Sequence, residues 1–265
     1  MPTSPALLAA DEPCAFQEFQ INGLSEFLIV ADHAGARIPQ ALSNLGLPDG
    51  ELRRHIAWDI GALGVSRGVA RALDAPLLSQ TYSRLVIDCN RDPSVATSIP
   101  RISELREIPG NIDLSAAEIA ARRAEIFDPY HARIRQLIDA RLAAGRRVFL
   151  VAQHTMTDIY KGVRRSMHAA VLYNRDRRFA GLVLEMLRRE DLVVADNEPY
   201  FVSDETDYTI PHHAEARRLP HVEIEVRQDL VGDAAGQAKW AALIARALEG
   251  ARREFDRTYD RNPET

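Results

Sequence analysis

The run Phe27-Leu28-Ile29-Val30-Ala31, broken off by Asp32-His33-Ala34-Gly35, decides how this chain is read. Five apolar residues in a row, with no polar alternation, describe a strand covered on both faces. Such strands belong to parallel sheets sandwiched between helices. Similar runs stand at 85–88, 148–152, 169–173 and 222–226, with a weaker one at 192–195. Helical patterns fall between them, at 61–73, 115–144, 179–189 and 234–253. The longest opens on Ser115 with Glu118 three residues later, a capping box, and Gly145 ends it. Pro129 should kink or split it, because proline removes a backbone donor and clashes with the preceding turn. Strands alternating with helices predict an α/β fold, a three-layer sandwich around a mixed, mainly parallel central sheet.

The chain has 265 residues, with 33 Lys+Arg against 38 Asp+Glu and a net charge of −5. That length and a globular composition predict one α/β domain over 1–265, with a ragged N-terminus to about residue 14 and a charged tail over about 254–265. Mild acidity without a basic run argues against a nucleic-acid partner. The absence of any run of about 18 apolar residues argues against a membrane span. The first residues have no basic segment before their apolar ones, so no signal peptide is expected. Two cysteines, Cys14 and Cys89, are too few for a disulfide scaffold and suit the cytoplasm; Cys89 reads as a small buried apolar residue. Residues 93–113 and 197–220 form long irregular stretches of the kind that cover sites.

Ligands of open α/β sheets bind beyond the carboxyl ends of the strands, and polar residues cluster there. His33 and His154 each close an apolar run, and with a carboxylate they make a zinc site that leaves a position open for water. Asp59 is the candidate carboxylate; Asp32 follows less well, since strand neighbours point to opposite faces. Glu223, Glu225 and Arg227 share one face of their run, which either meets solvent or lines a site. Arg84, Asn90 and Arg91 flank residues 85–88, where arginine forks suit an anionic substrate. Structural ion pairs, Arg84–Asp88 or Arg91–Asp92, account for those arginines equally well. Gly61, Gly64 and Gly68 lack nucleotide-loop spacing and read as helix packing. His212-His213 sits in a loop, as a mobile lid contact or, favoured, as solvent-exposed surface; the scattered arginine pairs, including 122–123 and 164–165, read as solvated faces.

In order along the chain, Asp32-His33-Ala34-Gly35 with Ile38-Pro39, Ala57-Trp58-Asp59-Ile60-Gly61-Ala62, Ser83 to Arg91, Gln153-His154-Thr155 and Glu223 to Leu230 resemble the N-formylglutamate amidohydrolase family. The resemblance implies a zinc-carboxypeptidase-like fold and a metal-dependent hydrolase of N-acylated amino acids, with N-formyl-L-glutamate as the model substrate. It implies one Zn²⁺ per chain, for which Co²⁺ or Mn²⁺ could substitute, on His33, Asp59 and His154. By the same resemblance Glu225 acts on the attacking water, and Asn90-Arg91 hold the substrate carboxylate. An arginine, Arg84 or Arg227, would steady the oxyanion. The compact carboxypeptidase pattern is missing, since Ala36 stands three residues after His33, so the third ligand comes from elsewhere. Two rivals remain: a deacylase or peptidase for another acyl group, and a non-catalytic small-molecule binding protein.

Overall fold

Phe27–Ala31 lies inside a seven-stranded sheet with all five of its side chains buried. The computed structural model describes residues 6–260. In chain order its elements are β1 (Phe16–Phe19), β2 (Phe27–Ala31), α1 (Ala62–Leu73), β3 (Leu77–Gln80), β4 (Ile102–Ser103), β5 (Arg106–Glu107), α2 (Ala116–Arg122) and α3 (Asp128–Ala143). They continue with β6 (Phe149–Met156), β7 (Ile159–Tyr160), β8 (Val163–Arg164), β9 (Ala169–Leu172), α4 (Arg178–Arg188), β10 (Val194–Asp196), β11 (His221–Arg227) and α5 (Ala234–Phe255). The sheet runs β1-β3-β2-β6-β11-β9-β10, while β4–β5 and β7–β8 are separate small hairpins. The central strands β3, β2, β6 and β11 are mutually parallel; β1 pairs antiparallel to β3 and β9 antiparallel to β11, while β10 runs parallel to β9.

Period-2 alternation distributes the core. Phe27, Ile29, Phe149, Val151, Val222 and Ile224 point to one face, where they meet α1, α4 and α5. Leu28, Val30, Leu150 and Ala152 point to the other, against α3 and the long connections. The three-layer sandwich read from the sequence is therefore the observed one, around a mixed, mainly parallel sheet. The glycines of α1 do pack helices. A Cβ on Gly68 would stand 2.5 Å from the Cβ of Ala241 in α5, and Gly61 takes φ +85° as its residue turns in beside Val231. The long helical stretch divides as Pro129 requires: α2 and α3 are joined by a widened turn over 123–127, with Pro129 at the start of α3. Ser115 and Glu118 close the expected capping box.

Several expectations need correction. Residues 85–88 are not a strand but a buried turn against the inner layer; the strand beside β2 is β3, upstream at Leu77–Gln80. An apolar run reports burial, and here the burial comes from packing under α3 rather than from pairing. The described part of the N-terminal segment packs onto the fold: Leu7 is buried, and the Leu7 and Leu8 amides donate to the Glu125 carboxylate at 2.7 and 2.9 Å. Residues 1–5 lie outside the described residues. At the other end α5 and a following turn continue the chain helically to Asp260, and 261–265 lie outside the described residues. Arg122 is buried rather than solvated, its guanidinium donating to Val86 O, Gly110 O and Asn111 Oδ1.

His213 is also buried, contrary to the expected exposure. His131 Nε2 bonds Cys89 O at 2.8 Å and therefore carries the proton, leaving Nδ1 to accept from His213 Nε2 at 2.9 Å. In that arrangement both rings are neutral. Burial pushes His131 down to about 4 and His213 down to about 2, and Asp32 nearby only softens the shift. The unfolded chain takes up protons at both histidines from about pH 6.5 downward while the folded chain resists. Stability should therefore fall as pH drops from 6.5 towards 4, by up to ~1.4 kcal/mol per pH unit for each histidine. Thermal melts across that window check this. His213→Gln keeps a donor without the titration and should flatten the slope; a slope equal to wild type would show that the pair does not drive it.

Candidate active site

Topology brings three chemical groups to one sheet edge. β2, β6 and β11 are adjacent and parallel, so their carboxyl ends lie side by side. His33 stands two residues beyond β2, and His154 sits late in β6, directly opposite Glu225 of β11 in the register. On β11, Val222, Ile224 and Val226 fill the helical layer, so Glu223 and Glu225 face the other way, into a cavity of about 620 Å³. The polar face seen in the sequence is thus a cavity wall. Asp59 arrives from the loop before α1, held by its amide donating to His33 O at 2.8 Å.

His33, Asp59 and His154, all buried, form a group able to hold a metal ion. Nδ1 of His33 and Nδ1 of His154 lie 3.7 and 3.0 Å from Asp59 Oδ2. Nε2 of His33 bonds Asp88 Oδ1 at 2.6 Å, which places the proton there and leaves Nδ1 as a buried lone pair without a hydrogen bond. An orphaned imidazole nitrogen aimed at a carboxylate and a second imidazole is what a divalent cation fits. Asp88 also accepts from Arg84 Nη2 at 2.7 Å and from the Asn90 amide at 2.9 Å, so it fixes an arginine, a turn and a histidine together. Burial opposes ionisation of both carboxyls. Arg84 and His33 nonetheless hold Asp88 well below the usual range, and His33 with His154 hold Asp59 down likewise.

Glu225 Oε1 accepts from the Tyr200 hydroxyl at 2.9 Å, while its Oε2 has no hydrogen-bond partner among the described residues. Burial, and then the negative charge of Asp59, push its carboxyl up. Glu223 shares the wall, its Oε2 without a hydrogen-bond partner among the described residues, and burial pushes it well above the ordinary glutamate value.

The cavity brings together seven of the eight residues expected from the sequence. Arg227 is the exception. Its guanidinium is bound to Asp229 at 2.7 Å and to the carbonyls of Arg165 and Met167, away from the cavity lining, because the strand ends and its terminal side chain turns to nearby acceptors. Arg84 lines the cavity but is already paired with Asp88, and it lies 3.6 Å from Asp59. Asn90 spends most of its amide internally: Oδ1 accepts from the Tyr208 and Thr209 amides, and Nδ2 donates to Asp207 at 3.0 Å, leaving one N–H. Arg91 lines the cavity with no carboxylate partner among the described residues.

Sequence reading missed Arg165. It lines the cavity with its guanidinium 5.4 Å from the ring centres of both Tyr160 and Tyr200, again without a carboxylate partner among the described residues. As half of an arginine pair in a turn-rich stretch it carried no signal of its own. The stretches 93–113 and 197–220 both supply cavity walls, Thr97 and Ile102 from one, Tyr200 and Asp207 from the other.

A His-Asp-His group and a carboxylate at the carboxyl edge of this sandwich define a hydrolase of amide bonds once the chain's kinship is added. The chain belongs to the N-formylglutamate amidohydrolase family, whose model matches residues 25–232. The gene product Atu2144 from Agrobacterium tumefaciens is similar at 36% identity and a TM-score of 0.92, over 94% of this chain and 99% of that one. N-formylglutamate amidohydrolase from Ralstonia eutropha JMP134 shares the fold, with 22% identity and a TM-score of 0.66 over 91% of this chain and 100% of that one. A search of curated proteins returned no match. Among the described residues no helix is long and apolar enough to cross a membrane.

Proposed function

We propose that the protein hydrolyses the N-formyl, or another N-acyl, amide of an acidic amino acid such as N-formyl-L-glutamate, using one Zn²⁺ per chain held by His33, Asp59 and His154. The observation that carries this is the convergence of those three side chains beside Glu225, whose Oε2 is unpaired in the same cavity. A divalent ion bound there would polarise the acyl carbonyl and acidify water. Co²⁺ or Mn²⁺ would suit the same ligands.

The chain's own residues divide the remaining work. Glu225 Oε2 takes a proton from the attacking water as oxygen adds to the acyl carbon, then returns it to the amide nitrogen as the C–N bond breaks. The products are the free carboxylic acid, formate for a formyl group, and the amino acid. Tyr200 holds Oε1, so Oε2 is the oxygen presented to the water. Arg84 brings positive charge to the wall beside Asp59 and Asp88, where it would oppose build-up of negative charge in the transition state. Arg91, with the remaining N–H of Asn90, would clamp the α-carboxylate. Arg165, the other cavity arginine without a carboxylate partner, would meet the side-chain carboxylate of an acidic substrate.

The test is steady-state kinetics of zinc-loaded protein on N-formyl, N-acetyl and N-succinyl derivatives of glutamate and leucine. Turnover of N-formylglutamate ahead of the rest is expected; turnover favouring another acyl group would reassign the substrate. Arg91→Ala should raise KM for every substrate by ~10-fold or more, the size of losing a charged hydrogen-bonded pair. Arg165→Gln should raise KM for the glutamate series alone. An unchanged KM accompanied by a lowered melting temperature would leave Arg91 a structural role only.

A further inference from the structure

Asp32 is fully buried, and the mechanism above does not use it. A carboxylate in such a place needs partners on both oxygens to remain charged. Oδ1 accepts from the Tyr130 hydroxyl of α3 and from Thr209 Oγ1, each at 2.9 Å. Oδ2 makes no hydrogen bond within the usual limits, and 3.3 Å from it stands His154 Nε2, which is likewise unsatisfied. Each is therefore the other's natural partner. On the far side of the same ring, His154 Nδ1 faces Asp59 Oδ2 at 3.0 Å. A neutral imidazole has one N–H and one lone pair. A carboxylate at Nε2 draws the proton there, so Nδ1 keeps its lone pair for the Asp59 side. Asp88 does the same for His33 from the other wall, at 2.6 Å.

We infer that Asp32 is a positioning residue for His154: held by Tyr130 and Thr209, it fixes the ring's tautomer and orientation and so raises the affinity of the His33–Asp59–His154 group for a divalent cation. This rests on the metal reading proposed above. The turn at the carboxyl end of β2 makes it possible. Asp32 and His33 are chain neighbours in the turn that follows β2, so one segment supplies a ligand directly and sets a carboxylate beside a second ligand, His154. Thr209 belongs to the stretch 197–220, whose Tyr208 and Thr209 amides are also bound by Asn90. The brace is thereby tied to a cavity wall.

The experiment is calorimetric titration of metal-stripped full-length protein with Zn²⁺, for wild type, Asp32→Asn, Tyr130→Phe and Thr209→Val. The visible spectrum of each protein saturated with Co²⁺ is recorded in parallel. Asp32→Asn keeps the shape and removes the charge, and is expected to weaken Zn²⁺ binding by about 10- to 100-fold and to alter the Co²⁺ spectrum. Tyr130→Phe and Thr209→Val should each weaken binding several-fold. A purely structural Asp32 would lower the melting temperature of the metal-free protein but leave the Kd of the folded fraction and the spectrum as in wild type. That result overturns the inference and spares the metal reading. Wild type that binds no Zn²⁺ overturns both. Should Asp32→Asn fail to fold, wild-type affinity in both Tyr130→Phe and Thr209→Val overturns the inference.

Discussion

Glu225→Gln is expected to lower kcat on the best N-acyl amino acid by at least about 10²- to 10⁴-fold, the range for losing a general base, while metal content stays at the wild-type level. Glutamine matches glutamate in shape, and its Oε1 can still accept from the Tyr200 hydroxyl that bonds Glu225 at 2.9 Å. What it lacks is an oxygen that can take a proton at the position of Oε2, the atom left without a partner in the cavity. The change also removes no ligand from the His33–Asp59–His154 group. Kinetics and elemental analysis on the same preparation check both halves. Wild-type turnover would take Glu225 out of the mechanism; loss of metal would mean that Glu225 supports the ligand group instead.

The double variant His33→Ala/His154→Ala should contain no stoichiometric zinc, against about one per chain in wild type loaded under the same conditions, and should turn over no substrate. Two of the three candidate ligands disappear, and a lone aspartate cannot hold a divalent ion against water. There is a structural consequence as well. Asp59 and Asp88 are buried, and the histidines are among the groups that keep them charged. Leaving buried carboxylates without the side chains that partner them costs about 3–5 kcal/mol. A lower melting temperature is therefore expected alongside the loss of metal, and circular dichroism must show the variant folded at the assay temperature. A folded double variant that still binds zinc tightly would exclude this group as the metal site.

Much of the site was legible because strands are periodic. Residues two apart share a face, so Glu223 and Glu225 had to project together, and parallel strands had to deliver His33 and His154 to one edge. Legibility failed where side-chain direction depends on distant contacts. Arg227 obeys the same periodicity on paper, yet it sits at the last position of β11 and turns to Asp229 and the carbonyls of residues 165 and 167. Arg165 became a cavity arginine only because the β7–β8 hairpin and the 197–220 stretch place Tyr160 and Tyr200 against it. Residues 85–88 were read as a strand because burial and pairing leave the same apolar trace.

By itself the sequence determined the layered α/β architecture, the division of the long helix at Pro129, the polar edge carrying His33, His154 and Glu225, and the family. Those follow from local patterns: apolar periodicity, proline chemistry, and the order of short segments along the chain. Only the tertiary structure brought Asp59 against His33 and His154, set Asp88 and Asp32 beside the Nε2 atoms of those two rings, and left Arg91 and Arg165 without a carboxylate partner among the described residues. Those choices depend on which atoms meet across 55 to 177 residues of intervening chain, as between His33 and Asp88 or Asp32 and Thr209, and no spacing in the sequence encodes them.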